Sequence, residues 1–243
     1  MAISFAMLFF LRIFEKNEMR LKDWFLSFLH LLFPRLCVVC GEPLVRGEEF
    51  LCLSCLMSFP YYRLGHEELE RQLNEIMLVE GVYALYVYNR QSPYRYLVHA
   101  LKYKSRREIG WMLGRMLARR FPADVKFDTV LPVPLHKKKE AKRGFNQSRV
   151  IAEGIRQVVD VEIADGALCR VVNNPSQTKV KERSRNVEDI FRLQDESLLR
   201  GKHVLLLDDV ITSGSTIKSC LRELSRVPDI RVSVACVGRV GHP

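Results

Sequence analysis

The run Val204-Leu-Leu-Leu-Asp-Asp-Val-Ile-Thr-Ser-Gly-Ser-Thr216 constrains the fold more than any other segment of the chain. Its apolar residues predict a fully buried strand over Lys202–Leu207, with two adjacent carboxylates, Asp208 and Asp209, at the tip. A Thr-Ser-Gly-Ser-Thr turn follows and feeds a helix predicted over Ser215–Arg226. Gly214 lets the backbone approach an anion closely. The free N–H groups of the helix start, with the hydroxyls of Thr212, Ser213, Ser215 and Thr216, can surround a phosphate. Asp208 and Asp209 are placed to accept hydrogen bonds from the vicinal hydroxyls of a ribose. Ordinary helix capping accounts for Ser213 or Ser215. It does not account for a carboxylate pair running straight into such a turn.

The rest of the chain supplies the setting. Helices are predicted over Leu21–Phe33, His66–Leu78, Pro93–Tyr103 (capped by Ser92), Glu108–Arg120 and Gln147–Val159. Strands are predicted over Val82–Val87, Phe127–Val133 and Ile230–Val237. Strands alternating with helices give an α/β class with a mostly parallel sheet flanked by helices. In such sheets ligands bind beyond the C-terminal ends of strands. With 243 residues, 48% of them hydrophobic, the chain is long enough for one sizeable core and a small appendage.

That appendage is marked by Cys37-Val-Val-Cys40 and Cys52-Leu-Ser-Cys55, eleven residues apart. Four thiolates satisfy a tetrahedral Zn²⁺ with no open position, so the site reads as structural. A redox reading needs only one pair, and the second pair counts against it. Gly41 can supply the positive-φ turn after the first knuckle. Cys169, Cys220 and Cys236 lie in apolar surroundings and read as core thiols. This usage fits a reducing, cytoplasmic setting better than a disulfide framework. Residues 1–20 are set apart as an N-terminal extension with no basic segment ahead of it, and Met19 offers an alternative start. The expected organisation is therefore 1–20 extension, 21–62 helix plus cysteine module, and 63–243 α/β domain. Residues 21–33 carry a broad apolar stripe suited to peripheral contact with a membrane or a partner, but are too short and polar to span a bilayer.

The formal charge of +10 is concentrated at Lys102–Arg107, Lys137–Arg149 and Lys179–Arg185, which favours polyanionic partners. Val130-Leu-Pro-Val-Pro-Leu-His-Lys-Lys-Lys139 ends a strand in a basic turn, and Lys142-Arg-Gly-Phe-Asn-Gln147 follows. His136, Lys137 and Arg143 could meet a pyrophosphate there; a plain basic surface loop is the competing reading. Asn174–Asn186 is polar and basic, as a segment that closes over a ligand would be.

The acidic run resembles the motif by which type I phosphoribosyltransferases bind phosphoribosyl pyrophosphate (PRPP). More broadly, the cysteine pairs, Leu101-Lys-Tyr-Lys104, Pro132-Val-Pro-Leu-His136, Arg143-Gly-Phe-Asn-Gln147, Gln177–Asn186 and the acidic run together resemble the ComF family, also called GntX-like, over roughly residues 21–239. That resemblance implies a phosphoribosyltransferase-like fold. It makes Asp208 and Asp209 the catalytic carboxylates that hold the ribose 2′- and 3′-hydroxyls. Thr212, Ser213, Gly214, Ser215 and Thr216 become the 5′-phosphate loop, with His136, Lys137 and Arg143 on pyrophosphate. It implies Mg²⁺ with PRPP, pentosyl transfer with release of pyrophosphate, and a role in natural competence on incoming single-stranded DNA beside a competence helicase. The alternative is a nucleotide- or base-salvage phosphoribosyltransferase unrelated to DNA uptake.

Overall fold

A computed structural model describes residues 34–63, 65–103, 106–171 and 190–240. The helix expected over 21–33, the N-terminal extension, Lys104 and the segment Asn174–Asn186 lie outside the described residues. The chain divides into two compact units, 1–58 and 59–243. Pro60 and Tyr62 hydrogen-bond to the backbone of the first sheet strand.

In the first unit, Cys37 and Gly41 close one knuckle, with the Gly41 N–H donating to the Cys37 carbonyl at 3.0 Å. Gly41 takes the positive φ of 80° expected of it. The second knuckle is the N-cap of α1 (Leu53–Met57), where the Cys52 sulfur accepts from the Cys55 N–H. The Glu48 carboxylate ties the hairpin together by accepting from the backbone of Val45 and Leu53, at 2.9 and 2.6 Å.

The second unit contains α2 (Glu67–Asn74), β1 (Val79–Tyr88), α3 (Arg95–Tyr103), α4 (Arg107–Ala118), β2 (Thr129–Pro132), α5 (Lys137–Arg143) and α6 (Gln147–Arg156). Then come β3 (Glu162–Ile163), β4 (Leu168–Arg170), β5 (Phe191–Leu193), β6 (His203–Ile211), α7 (Ser215–Leu224) and β7 (Arg231–Val240). Five strands form a parallel sheet in the order β1-β7-β6-β2-β3, and β4 pairs antiparallel with β5. The α/β class and its parallel sheet are as the sequence predicts.

Val204–Leu207 and Val232, Val234–Val237 are fully or almost fully buried, and from α7 Ile217, Cys220, Leu221 and Leu224 complete one side of the core. Cys220 and Cys236 are core thiols as expected; Cys169 is only half-buried. Helices α4 and α6 pack so closely that a Cβ added at Gly154 would lie 2.3 Å from the Trp111 carbonyl oxygen. A glycine is required there to let two backbones touch.

Two expectations are corrected. The strand predicted to stop at Leu207 runs on to Ile211, because its pairing with β7 continues through Asp208↔Cys236 and Val210↔Gly238. Asp208 and Asp209 therefore stand within a strand. The basic turn after Pro134 is a helix, α5: the His136 ring accepts from the Lys138 N–H at its start, and Gly144 ends it.

Candidate functional site

Because the sheet is parallel, the segments after β1, β2 and β6 and the end of β7 all emerge on one edge. The chain leaves β2 towards β3 but leaves β6 towards β7, so the crevice between β2 and β6 is the switch point where open α/β sheets take ligands. Asp208 and the Val133–His136 turn stand at that crevice.

The two carboxylates find different partners. Asp208 accepts from the Ser148 hydroxyl on α6 at 3.4 Å and from the Asp209 N–H at 2.8 Å. Desolvation, and next the Asp209 carboxylate beside it, push the pKa of the half-buried Asp208 carboxyl up to about 7, against the pull of the Asp209 N–H, Lys102 and Ser148. Asp209 is buried and forms a two-oxygen ion pair with the Lys102 ammonium of α3, at 2.8 and 3.0 Å. Neighbouring strand residues point to opposite sides, and here each is met by a different helix.

The Arg143–Gln147 run organises the adjoining wall. The Asn146 side chain caps α6 through the Ser148 N–H and donates to the Val133 carbonyl at 3.0 Å. Arg143 donates to the Gln147 side chain at 2.7 Å and lies over the Tyr103 ring. Burial holds the Lys139 ammonium below its ordinary range, reinforced by the positive charges of Arg170, Arg143 and Lys102 nearby. Lys102, Lys139, Arg143 and Arg170 thus form a group of cations that reaches the acidic pair through Lys102, which pairs with Asp209, and Arg170, which feels the Asp208 charge. Of the expected basic residues, Arg143 belongs to this group. Lys137 is exposed at the start of α5 and the His136 ring is engaged in capping.

Gly214 has a positive φ of 73° and caps α7 from the left-handed region, which strains any side chain and is ordinary for glycine. Thr212, Ser213 and Ser215 are exposed, and the Ser213 and Ser215 hydroxyls lie 3.3 Å apart. Thr216, half-buried, follows in the first turn of α7. Two clefts open beside this loop. One, of about 520 Å³, is lined by Tyr88–Gln91, Thr212 and Val240. The other, of about 410 Å³, is lined by Glu68, Leu69, Gln72, Thr212, Ser213, Arg239 and Val240. Neither is lined by Asp208 or Asp209.

Sequence reasoning left out Lys102, Ser148, Lys139, Arg170 and Arg239. Lys102 and Lys139 sit in basic runs that the sequence marks as suited to polyanionic partners, without singling out either residue. Arg239 is reached only through sheet register, which pairs it with Ile211 just ahead of the loop.

In the first unit, the four sulfurs of Cys37, Cys40, Cys52 and Cys55 lie within 4.8 Å of one another, and those of Cys40 and Cys52 are 3.7 Å apart. A tetrahedron with metal–sulfur bonds of about 2.3 Å has edges of about 3.8 Å, so the cluster has the dimensions of a four-thiolate metal site. Burial raises the Cys37 thiol, but the backbone N–H groups of Cys40, Cys52 and Val39 outweigh it and bring the group down to about 7, which favours a thiolate. All seven cysteines are free of disulfides.

Residues 135–242 match the family model described as the phosphoribosyl transferase domain. DNA utilization protein YhgH of Salmonella typhimurium is 32% identical over 228 residues, covering 86% of this chain and 99% of the relative. The protein of the same name from Escherichia coli O157:H7 is 28% identical over the same shares. Competence protein F of Haemophilus influenzae is 26% identical over 223 residues, covering 81% of this chain and 94% of that one. The acidic strand, the loop after it and the cysteine cluster therefore sit in a chain that belongs to the ComF (GntX-like) family, with a phosphoribosyl transferase domain behind its cysteine module.

Proposed function

We propose that the crevice between β2 and β6 binds PRPP in a competence protein that acts on incoming single-stranded DNA. The observation that carries this reading is the half-neutralised acidic pair. Asp209 is held by Lys102, whereas Asp208 is half-buried with a raised proton affinity and lies within reach of the Arg170 charge, and Lys139 and Arg143 stand near those two cations. A sugar diol and a polyanion offered together suit such a site: carboxylates take the hydroxyls, and the cations take the pyrophosphate. In this reading Asp208 and Asp209 hold the ribose hydroxyls, Thr212–Thr216 the 5′-phosphate, and Arg143 the pyrophosphate with Lys139 and Lys102. His136 and Lys137 stand at the rim. When Mg²⁺ is bound with PRPP, the hard oxygens of Asp208 or Asp209 suit it, and the ion offsets pyrophosphate charge. Any transfer would proceed by positioning and charge neutralisation, with pyrophosphate leaving the anomeric carbon as the acceptor's lone pair arrives.

The cysteine cluster holds one structural Zn²⁺ in this account, on Cys37, Cys40, Cys52 and Cys55. A cytoplasmic setting is supported by the free thiols. Among the described residues no helix is long and apolar enough to cross a membrane. The relatives named DNA utilization protein and Competence protein F support the DNA setting. Calorimetric titration of PRPP and of single-stranded DNA, separately and then together, tests the assignment. Binding of both supports it. Binding of PRPP with no affinity for DNA even at low salt would favour a salvage enzyme.

A further inference from the structure

Arg239, at the end of β7, is only 8% exposed, yet its one hydrogen-bond partner among the described residues is His66, whose Nδ1 accepts from the guanidinium. The partner carries no balancing charge. Burial, and then the positive charge of Arg239, bring the imidazole's proton affinity down to about 4, so it is neutral at physiological pH. His66 is itself stacked on Tyr62, ring centroids 4.7 Å apart and 7° from coplanar, and Arg239 lies over the same Tyr62 ring. Among the described residues no carboxylate lies within ion-pair distance of Arg239; the nearby Glu68 is engaged by Arg71 and Gln72. Buried charges are normally paired, and an arginine offers five N–H donors in a rigid fork that fits phosphate. Here one donor is used, and Arg239 lines the 410 Å³ cleft together with Thr212 and Ser213.

We propose that Arg239, positioned by His66 and Tyr62, is the charged floor of an anion subsite that takes a phosphate monoester between itself and the Thr212 and Ser213 hydroxyls. The phosphate loop offers only neutral donors, and Arg239 supplies the counter-charge from the neighbouring strand. Two sources can present that chemistry: the 5′-phosphate of a ribosyl ligand, or a separate phosphate ester bound beside it. Only the first source rests on the PRPP reading.

The test compares the parent with Arg239→Met and, should that variant fail to fold, Arg239→Lys, which keeps the charge but loses the fork. Binding of inorganic phosphate, ribose 5-phosphate and PRPP is measured by calorimetry, and the thermal midpoint of each protein is followed with phosphate added. The parent should bind phosphate and ribose 5-phosphate and be stabilised by both. The variant should bind them about tenfold or more weakly and melt no lower than the ligand-free parent, since a buried uncompensated charge has gone. If the subsite holds the ribosyl 5′-phosphate, the variant also weakens PRPP, and ribose 5-phosphate excludes inorganic phosphate. If it holds a separate ester, PRPP affinity is unchanged and phosphate binds alongside PRPP. A parent that binds phosphate through Arg239 but does not bind PRPP would leave the subsite standing and remove the PRPP reading. A folded variant that binds all three as the parent does, or a parent that binds neither phosphate nor ribose 5-phosphate at millimolar concentration, overturns the subsite.

Discussion

Within residues 34–58 the buried side chains are Val39, Leu51 and two cysteines, and Met57 is 80% exposed and Val45 64%. Strand β6 alone buries four consecutive aliphatic residues completely, and Ile217, Cys220, Leu221 and Leu224 of α7 join Val204 and Leu206 in one core cluster. Among the described residues 34–58 there is too little buried apolar surface to offset chain entropy, and on the proposed zinc reading the four cysteines make up for it. The second unit has surplus core. It can therefore hold two adjacent carboxylates within a central strand and a buried arginine at the end of the next, features that cost stability. On the proposed zinc reading, the fold of residues 34–58 depends on a bound metal, whereas the second unit stands on its own core.

Removing the metal should produce the largest contrast. Structural zinc contributes apparent free energies of about 10–16 kcal/mol in small modules. Chelation should abolish hydrogen-exchange protection across Cys37–Cys55 and leave β6 and β7 protected. Loss in both units, or in neither, would break the comparison. Elemental analysis of protein purified without chelator should find about one zinc per chain.

The converse change acts on the core. Leu206→Ala removes a fully buried side chain between β7 and α7 and should cost about 2–5 kcal/mol in denaturant unfolding of the second unit. Zinc content should not change. If zinc were released as well, the two units would not be independent in stability.

A smaller effect should follow pH. The Asp208 carboxyl binds its proton more tightly folded than unfolded, chiefly because it is buried. In acid below the ordinary carboxylate value, about 3.9, both states are protonated and Asp208→Asn should match the parent. As pH rises the unfolded chain ionises first, and the parent loses stability until its folded carboxyl ionises too. In metal-free buffer Asp208→Asn should therefore melt higher than the parent at neutral and alkaline pH, with the gain vanishing in acid. A variant that is less stable at alkaline pH would show that Asp208 is a stabilising anion, contrary to the account.

Much of this could be read from the sequence, and the misses share a cause. The alternation of strands and helices, the parallel sheet, the four-cysteine cluster and the loop at Thr212–Thr216 rest on local patterns. Two aspartates look like a strand terminus, so the sequence pattern ends β6 at Leu207, four residues before Ile211. Lateral pairing with β7, and partners on α3 and α6, carry the strand through them. Helix α5 looks like a turn in the sequence because Lys137–Arg143 has no apolar face; a cap at each end is what shapes it. Lys102, Arg170 and Arg239 reach the site from distant positions in the chain, so no window of sequence contains the cation group or the buried arginine.

The acidic pair remains the centre of the account. Calorimetry with PRPP and Mg²⁺, on the parent and on the double variant Asp208→Ala, Asp209→Ala, addresses it directly, with circular dichroism to confirm the fold. Hydrogen bonds to a charged acceptor contribute about 1.5–3 kcal/mol each. The double variant should therefore stay folded and bind PRPP at least about tenfold more weakly. A folded double variant that binds PRPP as tightly as the parent would contradict the assignment of the pocket.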